Sequence, residues 1–178
     1  SGRTRETMGL LEDISGFPWA DKVTLHISSE GSRADLNAIL SGYKAGAHVY
    51  TCGAEAYMNS VMEAAEHAGY PEEARHLEYF SVPETPDYEN HAFTIKLASS
   101  GVELTVPEDK SAADVLIENG VPIDLKCSDG LCGVCKCGVV SGEVEHRDFV
   151  LSKAQREDSI ILCQSRAAKS NGVLELDL

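Results

Sequence analysis

Four of the six cysteines in this sequence fall within eleven residues, and three of them, Cys127, Cys132 and Cys135, stand in the spacing C-x4-C-x2-C. Cys163 follows 28 positions after Cys135. Three soft thiolates on one loop and a fourth at a distance make the spacing of a plant-type 2Fe–2S site, with two thiolates to each iron. Such a small anionic core needs backbone wrapped closely around it. Gly130 and Gly133 interrupt the loop, and residues without Cβ can turn backbone N–H groups inward at positive φ. Those dipoles stabilise negative sulfur and help set the potential, roughly −400 mV for this class. The expected metal ligands are therefore Cys127, Cys132, Cys135 and Cys163, with Gly130 and Gly133 as cluster-binding backbone.

A structural zinc site is the competing use of four cysteines, but it ordinarily takes two C-x2–4-C hooks. Here three ligands share one glycine-bearing loop and the fourth stands alone, which favours iron. An even cysteine count in a small secreted chain would suggest disulfides. Clustering at short intervals, with no basic-then-apolar leader, argues instead for metal in a reducing, cytoplasmic setting. Cys137 lies two residues beyond Cys135, so an extended chain points both the same way. It reads as a buried strand thiol behaving as a small apolar residue.

The elements that must position this loop lie on both sides of it. Phe93, Ile95 and Leu97 alternate with polar residues, Ser99–Gly101 supplies a turn, and Val102, Leu104 and Val106 alternate again, which predicts a hairpin. Ser111 caps a helix whose Ala112, Val115 and Leu116 share a face and which ends at Gly120. After the loop come a strand pair around Gly138–Val144, a short helix near Ser152–Arg156, a strand at Ile160–Leu162, and a terminal alternation through Leu174, Leu176 and Leu178. A mixed sheet with one or two helices packed on it follows from this order.

The first part of the chain has a different pattern. Thr7, Leu10, Leu11 and Ile14 have helical spacing, while Val23, Leu25 and Ile27 alternate as a strand would. An apolar segment spans Leu36–Leu40, and His48–Cys52 reads as a strand ended by Gly53. Met58, Val61, Met62 and Ala65 mark a helix closing near Gly69, and His76–Phe80 reads as a third short strand. Helices alternating with strands predict a parallel sheet with crossover helices. Residues 81–90, with two prolines and no hydrophobic periodicity, read as an extended linker. Two domains are expected, 1–80 and 91–178.

The formal charge is −14, and each half of the chain carries −7. A surface of that sign repels nucleic acid, which needs Lys and Arg to displace counterions, while it can steer a basic protein partner. No apolar run approaches the ~18 residues of a membrane span. His146 reads as a surface residue rather than a Rieske-type ligand, since four cysteines already suffice for the cluster.

On these residues, 91–178 resembles the ferredoxin domain of the phthalate dioxygenase reductase family. Residues 1–80 are similar to the second half of that family's NAD(P)H-binding domain. The matching pieces are Ser1-Gly-Arg-Thr-Arg5 before a helix, Val49-Tyr-Thr-Cys-Gly53 followed by Met58, and His76-Leu-Glu-Tyr-Phe80. The family usually has Pro after the Cys-Gly pair, where this chain has Ala54.

The resemblance implies an α/β partial nucleotide-binding domain with a parallel sheet, followed by an α+β ferredoxin-like β-grasp domain. It also implies hydride transfer from NAD(P)H to FMN and then single electrons through the cluster to an oxygenase. A flavin must stand between the two carriers, because nicotinamide gives a hydride and the cluster takes one electron.

By resemblance, Cys52 and Gly53 lie near the nicotinamide. Arg3 and Arg5, with Ser1, sit where the family meets the adenosine ribose, and an Arg there can hold a 2′-phosphate. Phe80 reads as a core aromatic, and Met58, Val61 and Met62 as helix core.

The first methionine is Met8, and neither a flavin-binding Arg-x-Tyr-Ser/Thr nor a Gly-rich pyrophosphate loop is present. The flavin domain and phosphate loop of the same parent protein are expected upstream. The implied partners are that flavin domain and a terminal oxygenase, of Rieske type or a haem-thiolate monooxygenase fused to the reductase. A stand-alone ferredoxin-type carrier is the remaining reading. The iron–sulfur subunit of a molybdenum hydroxylase is excluded, because only Cys52 and Cys137 are left for its second cluster.

Overall fold

The computed structural model describes residues 1–83 and 86–178; two positions of the 81–90 stretch, Glu84 and Thr85, lie outside the described residues. The chain divides into two compact units, Ser1–His76 and Leu77–Leu178.

In the first unit, helices α1 (Leu11–Ser15), α2 (Leu36–Leu40) and α3 (Glu55–His67) accompany strands β1 (Val49–Cys52) and β2 (Arg75–Glu78), the last crossing the unit boundary. The strands β1 and β2 pair with each other and are joined in the chain through α3. Met58, Val61, Ala64 and Ala65 are the buried residues of α3. Val61, Ala64 and Ala65 meet Leu40 and Val49 in a small core, with Leu36, Met62 and Tyr70 at its margin. Asp35 caps α2 by accepting the Ala38 N–H at 3.0 Å, a contact type that contributes about 1 kcal/mol.

Two expectations for this unit are corrected. The helix predicted from Thr7 is only five residues long, because Leu10 takes φ 64° and blocks helical backbone before Leu11. The alternation at Val23–Ile27 does not form a strand. Strand backbone needs a partner for each N–H and C=O, and among the described residues only Gly2 bridges to this stretch, the other bonds of Val23 and Ile27 being local turns with Ala20, Glu30 and Ser32. Gly2 donates to His26 O at 2.9 Å, Ser28 donates to Gly2 O at 3.0 Å, and a single parallel bridge joins Gly2 to Ile27.

The second unit is built on a five-stranded mixed sheet. Its strands are β3 (Phe93–Leu97), β4 (Glu103–Val106), β5 (Lys136–Ser141), β7 (Ser159–Ile161) and β9 (Val173–Leu176), in the order β4-β3-β9-β5-β7. Strand β3 runs parallel to β9 and antiparallel to β4, and β5 runs antiparallel to both β7 and β9. A two-stranded sheet joins β6 (Val144–Glu145) to β8 (Arg166–Ala167), so Val144 pairs away from β5 and does not extend a hairpin with it. The helix expected near Ser152 is one 3-10 turn, Gln155–Glu157.

Helix α4 (Ala112–Glu118) packs on this sheet. Ser111 Oγ accepts the Asp114 N–H and the Asp114 carboxylate accepts the Ser111 N–H, both at 3.1 Å, which fixes where the helix starts. Its Ala112, Ala113, Val115 and Leu116 are buried against Phe93, Ile95, Leu97, Leu174 and Leu176. Each large side chain so buried contributes roughly 1.5–3 kcal/mol.

Arg166, 5% exposed, ties the sheet to its surroundings by donating to Lys110 O, Pro107 O and His91 O at 2.8–2.9 Å. Tyr88–His91 are held to the same unit: Arg147 donates to Asn90 Oδ1 at 2.6 Å and lies over the Tyr88 ring at 4.5 Å.

Candidate functional site

The chain leaves α4 at Gly120 and runs without regular structure to β5, and Cys127, Cys132 and Cys135 lie on this passage. Backbone turns at positive φ shape it: Ser128 at 60°, Gly130 at 72° and Gly133 at 71°. Gly130 is the tightest point. A Cβ placed there would meet the Asp148 Cα at 3.3 Å and the Gln164 Cγ at 3.2 Å.

Three hydrogen bonds pin the loop to later parts of the chain. Phe149 N–H donates to Gly130 O at 3.1 Å, Gln164 Nε2 donates to Ser128 O at 2.7 Å, and Leu162 N–H donates to Cys135 O at 3.2 Å. The last two flank Cys163, which follows β7 and is 6% exposed.

The thiols fall into two pairs, Cys127 with Cys132 and Cys135 with Cys163. Burial pushes the Cys127 thiol up, but the N–H of Asp129, the Cys132 thiol and the N–H groups of Leu131 and Cys132 outweigh it and bring it down to about 7. Cys135 is brought down to about 6 by the Cys163 thiol against burial, with help from the N–H groups of Cys163, Cys135 and Leu162. Cys163 is raised, first by that same Cys135 contact and then by burial, while the Gly130 N–H opposes the rise. One proton shared between two close thiols accounts for the opposite signs.

Among the described residues, no three His, Cys, Asp or Glu are placed to hold a single metal ion. Two dithiol pairs ringed by N–H groups fit a two-iron core with two thiolates on each iron. The Gly130 N–H acts on the Cys163 sulfur. Gly133 serves by its turn, its carbonyl oxygen accepting the Lys136 N–H at 3.2 Å.

Asp148 was not visible as a site residue in the sequence. Its carboxylate is fully buried and accepts the N–H groups of Val150 at 3.1 Å and Leu151 at 2.8 Å, which sets the turn that presents Phe149 to Gly130. His146, expected at the surface, is instead only 14% exposed in its side chain. Its Nδ1 lies 3.6 Å from Asp148 Oδ2, and its Nε2 lies 3.1 Å from Arg156 O.

Cys137 is a buried thiol on β5, pushed up to about 11 by burial and by Asp177. Phe80, read as a core aromatic, is 86% exposed.

In the first unit a cavity of about 540 Å³ lies at the end of β1 and is lined by Cys52 and Gly53 together with Ser1, Ser32, Arg33 and Tyr57. Cys52 is exposed. Neither Arg3 nor Arg5 lines this cavity. Arg5 is engaged elsewhere, donating through Nε and Nη2 to the Glu30 carboxylate at 2.7 and 3.0 Å.

The mixed sheet, its packed helix and the paired thiols define a ferredoxin-type, cluster-binding electron-transfer domain, preceded by part of an α/β nucleotide-binding domain. Residues 95–168 match the model of the 2Fe-2S iron-sulfur cluster binding domain. The chain belongs to the phthalate dioxygenase reductase family. It is 36% identical to the phthalate 4,5-dioxygenase oxygenase reductase subunit of Pseudomonas putida, over 99% of this chain and 54% of that protein. The phthalate dioxygenase reductase structure is 31% identical, with a TM-score of 0.57, over 99% of this chain and 54% of that one. An intact type IV self-sufficient cytochrome P450 monooxygenase is 31% identical, with a TM-score of 0.72, over 99% of this chain and 23% of that one. The chain thus spans about half the length of the curated relatives it matches. No helix among the described residues is long and apolar enough to cross a membrane.

Proposed function

We propose that this chain is the electron-delivering portion of an NAD(P)H-dependent, FMN-containing oxygenase reductase, working in the cytoplasm. Cys127 and Cys132 hold one iron of a 2Fe–2S cluster, Cys135 and Cys163 hold the other, and the acceptor is a partner oxygenase. The observation that carries this reading is the pairing of the four thiols inside the segment that matches a cluster-binding domain.

When bound, such a cluster supplies one-electron transfer at a low potential. The protein's own part is electrostatic and geometric. The N–H groups of Asp129, Leu131 and Cys132 favour negative charge on Cys127, and those of Cys163 and Leu162 do so on Cys135. The buried Cys135 and Cys163 keep water from one side of the site, while exposed Cys132 faces solvent, where a partner protein can approach.

The test is iron and acid-labile sulfide per chain, with an electron-spin spectrum after dithionite. Two irons and two sulfides with a rhombic electron-spin signal are expected, and Cys132→Ser abolishes or distorts that signal. A single zinc, or an unchanged spectrum in the variant, would overturn the ligand assignment.

A second reading, the reductase portion of a self-sufficient haem-thiolate monooxygenase, is favoured by the match to the P450 structure. The mass of the intact gene product separates it from a free-standing reductase serving a Rieske-type oxygenase.

A further inference from the structure

The cavity at the end of β1 differs from the rest of the molecule in charge. The protein carries 29 acidic residues, yet no carboxylate side chain lines this cavity among the described residues, and Arg33 is the one Lys or Arg on its lining, with His26 and the Ser1 amino group beside it. No hydrogen bond or ion pair among the described residues engages the Arg33 guanidinium. Of the two arginines close in the sequence to Ser1, neither lines the cavity, and Arg5 is already neutralised by Glu30.

Hydroxyl groups accompany Arg33: Ser1 and Ser32 line the same cavity, Ser1 Oγ lies 3.2 Å from the Tyr57 hydroxyl, and Ser32 Oγ lies 3.4 Å from His26 Nδ1. The N-terminus of α3 also opens here through Gly53 and Ala54, and no side chain caps its N–H groups. Uncapped helix N–H groups favour an anion.

An acidic residue beside the ribose selects the 2′-hydroxyl of NADH, whereas an arginine accommodates the 2′-phosphate of NADPH. A carboxylate-free cavity with one unpaired arginine and a row of hydroxyls has the second chemistry. We propose that Arg33 meets the 2′-phosphate of the adenosine ribose, with Ser1 and Ser32 beside it, so that the nucleotide accepted by this reductase is NADPH in preference to NADH. This rests on the reductase reading above and moves the discriminating charge from Arg3 and Arg5 to Arg33.

The test compares two probes that differ only at the 2′ position, adenosine 2′,5′-bisphosphate and adenosine 5′-monophosphate, titrated into this chain and followed by amide chemical shifts. The bisphosphate is expected to bind at least about ten-fold more tightly, the factor one charge-assisted pairing supplies, with shifts centred on residues 26–36 and 52–57. Arg33→Ala removes that preference, while Arg3→Ala leaves it. Thermal unfolding of Arg33→Ala should match the parent chain, since Arg33 is exposed and unpaired.

Equal affinity for the two probes, or a preference that survives Arg33→Ala, overturns the proposal and leaves the reductase reading standing. Binding of neither probe overturns it along with the nucleotide role of this cavity. The iron, sulfide and spin measurements judge the cluster separately.

Discussion

Leu162 donates its backbone N–H to the carbonyl oxygen of Cys135 at 3.2 Å, the last rung beyond the β5–β7 ladder. That bond places Cys163, one residue further on, beside Cys135, although 28 positions of sequence separate the two cysteines. The ladder pairs Lys136 with Ile161 and Cys137 with Ile160, so the fourth thiol is delivered by strand register and not by the loop that carries the other three. A one-residue slip in that register would turn every β7 side chain to the opposite face. The site therefore depends on the sheet as much as on the loop.

Gly130 and Gly133 both sit at positive φ, near 70°, and their environments set different costs for a side chain. Any L-residue in this backbone region pays roughly 1–2 kcal/mol. At Gly133 an added Cβ meets only the Val150 Cγ2 at 3.6 Å, an ordinary contact. At Gly130 it presses on the Asp148 Cα at 3.3 Å, and that neighbour is backbone of a buried residue, which cannot swing away. Gly130→Ala is expected to lower the urea midpoint and the iron content more than Gly133→Ala does. Equal losses at the two positions would show that the approach of Asp148 does not constrain the loop.

Asp148 is predicted to be the buried group on which the outer side of the loop depends. Its Oδ1 accepts two N–H groups, and Arg156 Nη2 and His146 Nδ1 lie 3.8 and 3.6 Å from the carboxylate. Removing the carboxylate leaves the Val150 and Leu151 N–H groups without their acceptor, and a buried donor left unsatisfied costs about 1–3 kcal/mol. Asp148→Ala should therefore destabilise the chain by about that amount. Asp148→Asn keeps an oxygen for Val150 and Leu151 and should lose less. Denaturant unfolding measures both, and an Asp148→Ala variant within about 0.5 kcal/mol of the parent, the range of ordinary surface changes, contradicts the role.

How much of this was legible in the sequence follows physical lines. Local rules carried far: the alternation of Phe93, Ile95 and Leu97 became β3, Ser111 became a capped helix start, and Met58, Val61 and Ala65 face the core on α3. The thiol spacing named four cysteines that the structure brings together in pairs. What failed needed tertiary information. Val23–Ile27 has the alternation of a strand but finds, among the described residues, only Gly2 to bridge with. The lining of the cavity at the end of β1 was equally out of reach, since it includes Arg33, which no motif distinguishes, and neither Arg3 nor Arg5, which the family resemblance set at the ribose. Asp148 and Gln164 support the loop through backbone atoms, and a side chain that bonds backbone leaves no residue-type pattern to read.

The six cysteines should also separate by alkylation rate once iron is removed with a chelator under reducing conditions. The reactive species is the thiolate, so rate depends on both ionisation and access. Cys137 is buried and pushed up to about 11, so at pH 8 only about one thiol in a thousand is ionised there. Cys127 is half-buried and brought down to about 7, so at the same pH it is mostly thiolate. Iodoacetamide followed by peptide mass analysis should label Cys127 early and Cys137 last, with exposed Cys52 and Cys132 well ahead of Cys137. The sign of the pH effect follows from the same values. Lowering the pH from 8 to 6 crosses the Cys127 value and slows its labelling, whereas Cys137 stays protonated and slow at both. Rapid labelling of Cys137 at pH 6 would mean that β5 has opened, and the order would then report unfolding instead of the microenvironments described above.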